Sequence, residues 1–91
     1  MKIINLTVTR GHVVLWLENG RYVFMDGELA MGQTFYVTRG RDWYWVGKPA
    51  EKFQFLESMN VLGTVSAAEK TQVTAAVEQF NKENDFRILF D

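Results

Sequence analysis

Apolar and polar residues alternate along the first half of the chain, and glycine-containing pairs interrupt the alternation. Arg10-Gly11, Asn19-Gly20 and Arg39-Gly40 each stand between two alternating runs. Asn-Gly is typical of a tight two-residue hairpin turn because both residues tolerate positive φ. The alternation predicts strands over residues 3–9, 12–18, 21–26, 34–38 and 42–46.

The second half of the chain changes to a helical pattern. Ser66 and Glu69 have the spacing of a capping box, which predicts a helix that begins at Ser66, and Asn84 is a suitable stop. Between them, apolar residues recur at helical spacing: Val73, Ala76, Val77 and Phe80. Residues 86–90 predict a closing strand. Residues 47–65 predict an irregular connection, in which 53–56 form either a short strand or an anchored loop.

These elements predict a single α+β domain over residues 1–91. We expect an antiparallel sheet of about five to six strands that begins with an N-terminal meander. One C-terminal helix packs on this sheet, and a short terminal strand follows the helix.

The predicted turns also fix a register between the first three strands. A two-residue Asn-Gly turn pairs Leu15 with Phe24 and Trp16 with Val23. One sheet face is then uniformly apolar and forms the core, with Ile4, Leu6, Val8, Val13, Leu15, Leu17, Tyr22 and Phe24. The opposite face gathers a second apolar patch of Val14, Trp16, Val23 and Met25. This patch is either covered by another part of the chain or exposed for binding.

Composition narrows the classes of function. The chain has 91 residues, 47% of them hydrophobic, and its net charge is −1, which argues against disorder and against a strongly basic nucleic-acid binder. It has no cysteine and one histidine, which excludes disulfides, thiolate metal sites and sites with two imidazoles. No targeting or membrane-spanning segment is recognisable, so we expect a cytoplasmic protein without a membrane partner.

The sequence gives no positive reason to expect an enzyme. His12 is a solitary imidazole at a strand start, and no serine or glycine motif accompanies it. Asp26 and Glu28 would share one face if they lay in a strand, but Gly27 between them favours a solvated turn. We therefore predict no catalytic residue, no cofactor and no metal ion.

Aromatic residues concentrate around a short basic turn. Tyr36 precedes Arg39-Gly40-Arg41, and Trp43 and Trp45 follow it. Rings next to cations can stack single-stranded bases, as small β-rich modules do. The same rings can also fill the core or form a protein interface. The sequence leaves these three interpretations open.

The order of these elements resembles that of small immunity proteins from bacterial contact-dependent growth-inhibition and other polymorphic-toxin systems. The resemblance covers most of the chain and is one of layout. Its segments, in order, are Thr9-Arg10-Gly11-His12, Glu18-Asn19-Gly20-Arg21, Met25-Asp26-Gly27-Glu28, Phe35-Tyr36-Val37, Trp45 with Pro49 nearby, one helix, and a terminal strand that ends in Asp91.

The resemblance implies a cytoplasmic protein that binds a cognate toxin domain, often a nuclease, and neutralises it by stoichiometric, non-catalytic capture. Aromatic anchors and acids that meet a basic toxin cleft would carry such binding. The candidate partner-binding residues are Trp16, Glu18, Met25, Asp26, Glu28, Tyr36, Trp43 and Trp45. The alternatives are a single-stranded nucleic-acid-binding module that uses Tyr36, Trp43 and Trp45, and a homo-oligomeric structural subunit.

Overall fold

A computed structural model describes residues 1–49 and 59–90 of the chain. Within these residues the predicted α+β class is confirmed, as a curled mixed sheet with a C-terminal helix and a final short strand. The elements are β1 (Ile3–Val8), β2 (His12–Leu17), β3 (Tyr22–Ala30), β4 (Thr34–Val37), β5 (Tyr44–Val46), β6 (Val61–Thr64), α1 (Ala67–Glu83) and β7 (Arg87–Phe90). Strand β6 lies in the stretch predicted to be irregular, and residues 53–56 lie outside the described residues.

Strand β3 is the centre of the sheet. One of its edges pairs antiparallel with β2, which in turn pairs with β1. The other edge pairs first with β5, over residues 22–24, and then with β4, over residues 27–30. Two short strands thus occupy successive parts of one edge of β3, and the sheet curls where the partner changes.

Gly27 lies in β3 at the point where the partner changes. A Cβ atom at this position would overlap the carbonyl oxygen of Tyr36 and lie 2.5 Å from the Phe35 ring. Glycine therefore permits the close approach of β3 and β4. Asp26 and Glu28 are strand residues on either side of it, so the predicted solvated turn is wrong.

The last strand makes the sheet mixed. β7 pairs parallel with β4, with Phe35 opposite Ile88 and Tyr36 opposite Leu89. The antiparallel prediction is wrong for this pair, whereas the other pairs that the structure describes are antiparallel. A parallel partner needs a long return connection, and α1 lies in the connection that leads into β7.

The inner face of the sheet, defined as the face that packs against α1, holds the main core. Its apolar residues come from six strands, the helix and two neighbouring loop positions, and their burial removes a large apolar area from water. The buried members are Ile3, Val13, Leu15, Leu17, Val23, Met25, Phe35, Val37, Trp43, Trp45, Val65, Val73, Ala76, Val77 and Ile88.

Local hydrogen bonds determine where α1 begins and ends. Ser66 and Glu69 form the predicted capping box, in which the Ser66 hydroxyl accepts from the Glu69 N–H and the Glu69 carboxylate accepts from the Ser66 N–H. Asn84 is the C-cap, as predicted, and its N–H donates to the Phe80 carbonyl. In the last turns, the Asn81 side chain donates to the Ile88 carbonyl and accepts from the Ile88 N–H, each at 2.8 Å.

The β2–β3 hairpin differs from the predicted register by one residue. The Gly20 N–H donates to the Leu17 carbonyl, the Leu17 N–H donates to the Arg21 carbonyl, and Gly20 has φ of 84°. Asn19 does not have positive φ, so the connection is a three-residue loop with a left-handed glycine rather than a two-residue turn. Leu15 therefore faces Val23, where the two-residue turn predicted Phe24.

A one-residue shift moves every side chain of a strand to the other face. Val23 and Met25 consequently lie in the inner core, and Tyr22 and Phe24 lie on the outer face. The predicted β1–β2 register is confirmed for Leu6 with Leu15 and for Val8 with Val13. An irregularity between residues 3 and 5 then places Ile3, rather than Ile4, opposite Leu17.

Candidate functional site

Three of the sequence-predicted site residues lie in the inner core. Met25 is fully buried, and Trp43 and Trp45 are nearly so. The predicted patch of Trp16 with Met25 is wrong, because the three-residue loop places these two side chains on opposite faces of the sheet. Buried side chains stabilise the fold but offer little surface to a partner.

Trp16 belongs to a smaller apolar cluster on the outer face. The buried members of this outer cluster are Val14, Phe24 and Val46, and its half-buried members are Trp16, Tyr22, Tyr44 and Met59. The Trp16 indole N–H donates to the Thr7 hydroxyl at 2.9 Å, and its ring meets the Tyr22 ring edge-on at 5.5 Å. These contacts hold Trp16 in place within the fold.

Acidic and apolar side chains meet on the outer face of β3, β4 and β7. Glu28 lies directly opposite Tyr36, and Tyr36 lies directly opposite Leu89. Tyr36 is 42% exposed and Leu89 is 36% exposed. Asp26 lies two residues before Glu28, on the same face, and is half-buried. We call Asp26, Glu28, Tyr36 and Leu89 the acidic face.

A cation and a buried histidine lie at the two ends of the acidic face. Arg87 lies on the same side of β7, opposite Thr34, so one cation stands at its far end. At the near end Asp26 lies opposite His12, a buried residue whose ring packs against Phe24 with centroids 4.8 Å apart. Burial lowers the pKa of His12, and the negative charge of Asp26 partly opposes that shift.

Glu18 is separated from the acidic face. It lies in the β2–β3 loop, at the opposite end of β3 from Glu28. It is exposed, and its carboxylate is 3.8 Å from the amino terminus of Met1. The structure therefore brings Asp26, Glu28 and Tyr36 together and leaves Glu18 apart.

Trp45 takes part in a contact between the sheet and the helix start. The Arg21 guanidinium lies 3.5 Å from the centroid of the Trp45 ring, and its Nη1 is 3.4 Å from the Glu69 carboxylate. The pKa of Glu69 is lowered to about 2, chiefly by the Ser66 backbone N–H and next by the Trp45 indole N–H. The indole N–H is close enough to act on this carboxylate but lacks the geometry of a full hydrogen bond.

A groove runs along the polar side of α1. Its floor includes Trp43 and Phe90, whose rings stack with centroids 5.6 Å apart. The Lys70 ammonium lies 5.1 Å from the Trp43 ring. The groove has a volume of about 450 Å³ and is lined by Trp43, Lys70, Thr71, Thr74, Ala75, Glu78 and Phe90. We call it the α1 groove.

The α1 groove continues into a smaller depression beside the turn between β4 and β5. Trp43, Lys70 and Phe90 line both, and the depression adds about 160 Å³ bordered by Arg39 and Arg41. Sequence reasoning missed Phe90 and Lys70 as site residues. Phe90 lies at the end of the terminal strand and Lys70 on the polar side of the helix, and neither position indicates a binding site in the sequence.

Comparison with known proteins finds no matching family model, no matching curated protein and no matching solved structure. In the part of the chain that the structure describes, no group of three or more His, Asp or Glu residues is placed to hold a metal ion. No helix among residues 1–49 and 59–90 is long and apolar enough to cross a membrane. The acidic face and the α1 groove are the two candidate binding surfaces among the described residues.

Proposed function

We propose that this protein is an immunity-type inhibitor that captures a basic toxin domain, stoichiometrically and without catalysis, on its acidic face. The observation that supports this proposal is the exposed ladder of Glu28, Tyr36 and Leu89 across β3, β4 and β7. A cytoplasmic location, where a nuclease toxin domain would act, is part of the proposal.

The chemistry of the acidic face suits protein recognition. Tyrosine is among the side chains that most often anchor interfaces, because it buries a large ring and keeps a hydroxyl for hydrogen bonding. Leu89 adds apolar area beside Tyr36, and Glu28 with Asp26 adds negative charge that attracts a basic partner. All four residues lie on strands, so little backbone conformational entropy is lost when they bind.

The burial of the tryptophans favours protein capture over single-stranded nucleic-acid binding. A stacking platform needs several exposed rings on one surface. Tyr36 points to the outer face, whereas Trp43 and Trp45 are 7% and 4% exposed on the inner side. These three rings therefore do not share one exposed surface.

The test compares two variants of the acidic face with a matched charge reversal elsewhere. A tagged chain isolates its partner from the producing strain, and calorimetry then measures the affinity and stoichiometry of the purified pair. We expect one partner molecule per chain, and we expect Tyr36→Ala and Glu28→Lys each to weaken binding at least about tenfold, the range of an interface anchor. Glu83→Lys changes charge equally, on an exposed turn of α1, and should leave the affinity unchanged.

A growth assay separates toxin capture from other binding. The isolated partner, expressed alone, should arrest growth, and co-expression of the wild-type chain should restore it. Glu28→Lys should fail to restore growth while Glu83→Lys succeeds. A partner that is harmless alone, or affinities that are equal for both charge reversals, would refute the proposal.

A further inference from the structure

The α1 groove combines an aromatic wall with an asymmetric set of charges. Phe90 is 39% exposed, and its ring is backed by the nearly buried Trp43 ring. The Phe90 ring therefore packs against Trp43, while part of its surface stays accessible. A flat, supported aromatic surface is suited to stacking against a second planar ring.

Cations cluster at one end of the groove. Lys70 lies beside Trp43, where the larger groove joins the smaller depression, and Arg41 is an exposed residue that borders this depression with Arg39. Among residues 1–49 and 59–90, no acid lines this end. Two or three cations around a concave surface favour an anion with more than one charge, such as a phosphate.

Of the described residues, one acid lines the other end of the groove. Glu78 follows Lys70 by eight residues of α1, which corresponds to roughly 12 Å along the helix axis. Thr74 lies between them, and its hydroxyl can donate or accept a hydrogen bond. A carboxylate at this end favours a ligand whose ring edge carries N–H donors.

We propose that the α1 groove binds a purine nucleoside monophosphate, with its phosphate at Lys70 and Arg41 and its base stacked on Phe90. The N–H edge of the base then faces Glu78, and the sugar lies near Thr74. The volume of about 450 Å³ is within the range of small-ligand sites. The site is separate from the acidic face and does not depend on the proposed capture of a toxin.

The test is a titration with GMP, followed by the amide chemical shifts of the labelled chain. We expect saturable shifts at Thr71, Thr74 and Phe90. Guanosine and inorganic phosphate, titrated separately, should each bind at least tenfold more weakly than GMP. No saturable shift at millimolar GMP, or phosphate binding as tight as GMP, would overturn the proposal.

Variants identify the contributions of single residues. Arg41 is exposed and follows the turn between β4 and β5, so we expect Arg41→Ala to fold as the wild type does. Arg41→Ala and Lys70→Ala should each weaken GMP binding at least fivefold. Lys82→Ala removes a lysine from the same helix outside the groove and should bind GMP as the wild type does. Equal affinity of Arg41→Ala and Lys82→Ala would contradict the assigned phosphate position. Glu28→Lys should leave GMP binding unchanged, so failure of one proposal is distinguishable from failure of the other.

Discussion

Replacing Asn81 with alanine would remove the two hydrogen bonds that join the end of α1 to β7. The Asn81 carboxamide donates to the carbonyl of Ile88 and accepts from its N–H, each at 2.8 Å. The Asn81 side chain thus pairs with the backbone groups of Ile88 that a neighbouring strand would pair with in the interior of a sheet. We expect Asn81→Ala to be one of the more destabilising substitutions outside the core.

The magnitude follows from the environment of Ile88. Each hydrogen bond contributes about 0.5–1.5 kcal/mol net, and a buried group left unpaired costs about 1–3 kcal/mol. Ile88 is fully buried, which limits access of replacement water. Alanine has a higher helix propensity than asparagine, which offsets about 0.5 kcal/mol of this loss. The expected net loss in the free energy of unfolding is therefore about 2 kcal/mol.

Urea unfolding followed by tryptophan fluorescence measures this loss. With an m-value of about 1–3 kcal/mol/M, the midpoint should fall by about 1 M. Asn81→Asp keeps the acceptor but places a carboxylate against the Ile88 carbonyl, so it should also destabilise. Gln79→Ala, which removes an exposed contact to Glu83 on the same helix, should change the free energy by less than about 0.5 kcal/mol. If Asn81→Ala loses no more than Gln79→Ala, the reasoning is refuted.

Two further predictions concern pH and backbone packing. In the folded chain the pKa of Glu69 is about 2 against 4.5 ordinarily, so the stability it contributes is present above pH 4.5 and is lost as the pH falls toward 2. The pKa of His12 is below 6.5, so the unfolded chain binds that proton first and stability begins to fall below pH 6.5. Urea midpoints across this range should decline in both regions, and Glu69→Gln should flatten only the more acidic decline; an unchanged profile would contradict the assignment. Gly27→Ala, which places a Cβ against the Tyr36 carbonyl, should destabilise by more than about 2 kcal/mol in thermal unfolding, whereas Gly11→Ala, with open space around it, serves as the mild control.

The helix could be predicted because its signals are local. Ser66, Glu69 and Asn84 act on backbone groups within a few residues of themselves, so their spacing is sufficient to place both ends. The position of β7 beside β4 has no such signal. Parallel pairing joins segments that are far apart in sequence, and the apolar pattern of residues 86–90 fits either strand direction.

The register of β3 could not be predicted for a different reason. Residues 22–25 are apolar on both faces of the sheet, so burial does not distinguish the two possible registers there. Asn19-Gly20 is compatible with a two-residue and a three-residue connection, and the structure adopts the second. Because the loop has three residues, Met25 lies in the core and not in the predicted binding patch.

The candidate surfaces were predictable in part. Residue type alone identified Glu28 and Tyr36, because tyrosines are enriched in interfaces and acids attract a basic partner. Their direct juxtaposition depends on the β3–β4 pairing around Gly27. The α1 groove was not predictable, because it forms only when the helix docks and brings Lys70 beside Trp43 and Phe90.

The acids of β3 also act on the folding of the strand that carries them. If the β2–β3 loop were one residue shorter, every side chain of β3 would move to the opposite face of the sheet. Tyr22 and Phe24 would then face the core in place of Val23 and Met25, which are also apolar. Asp26 and Glu28 would then point into the core, where an unpaired carboxylate is strongly unfavourable. These two residues therefore exclude the alternative register, which the apolar half of the strand would accept. Substitutions that replace both acids with apolar residues would therefore remove this penalty and make the alternative β2–β3 register more accessible.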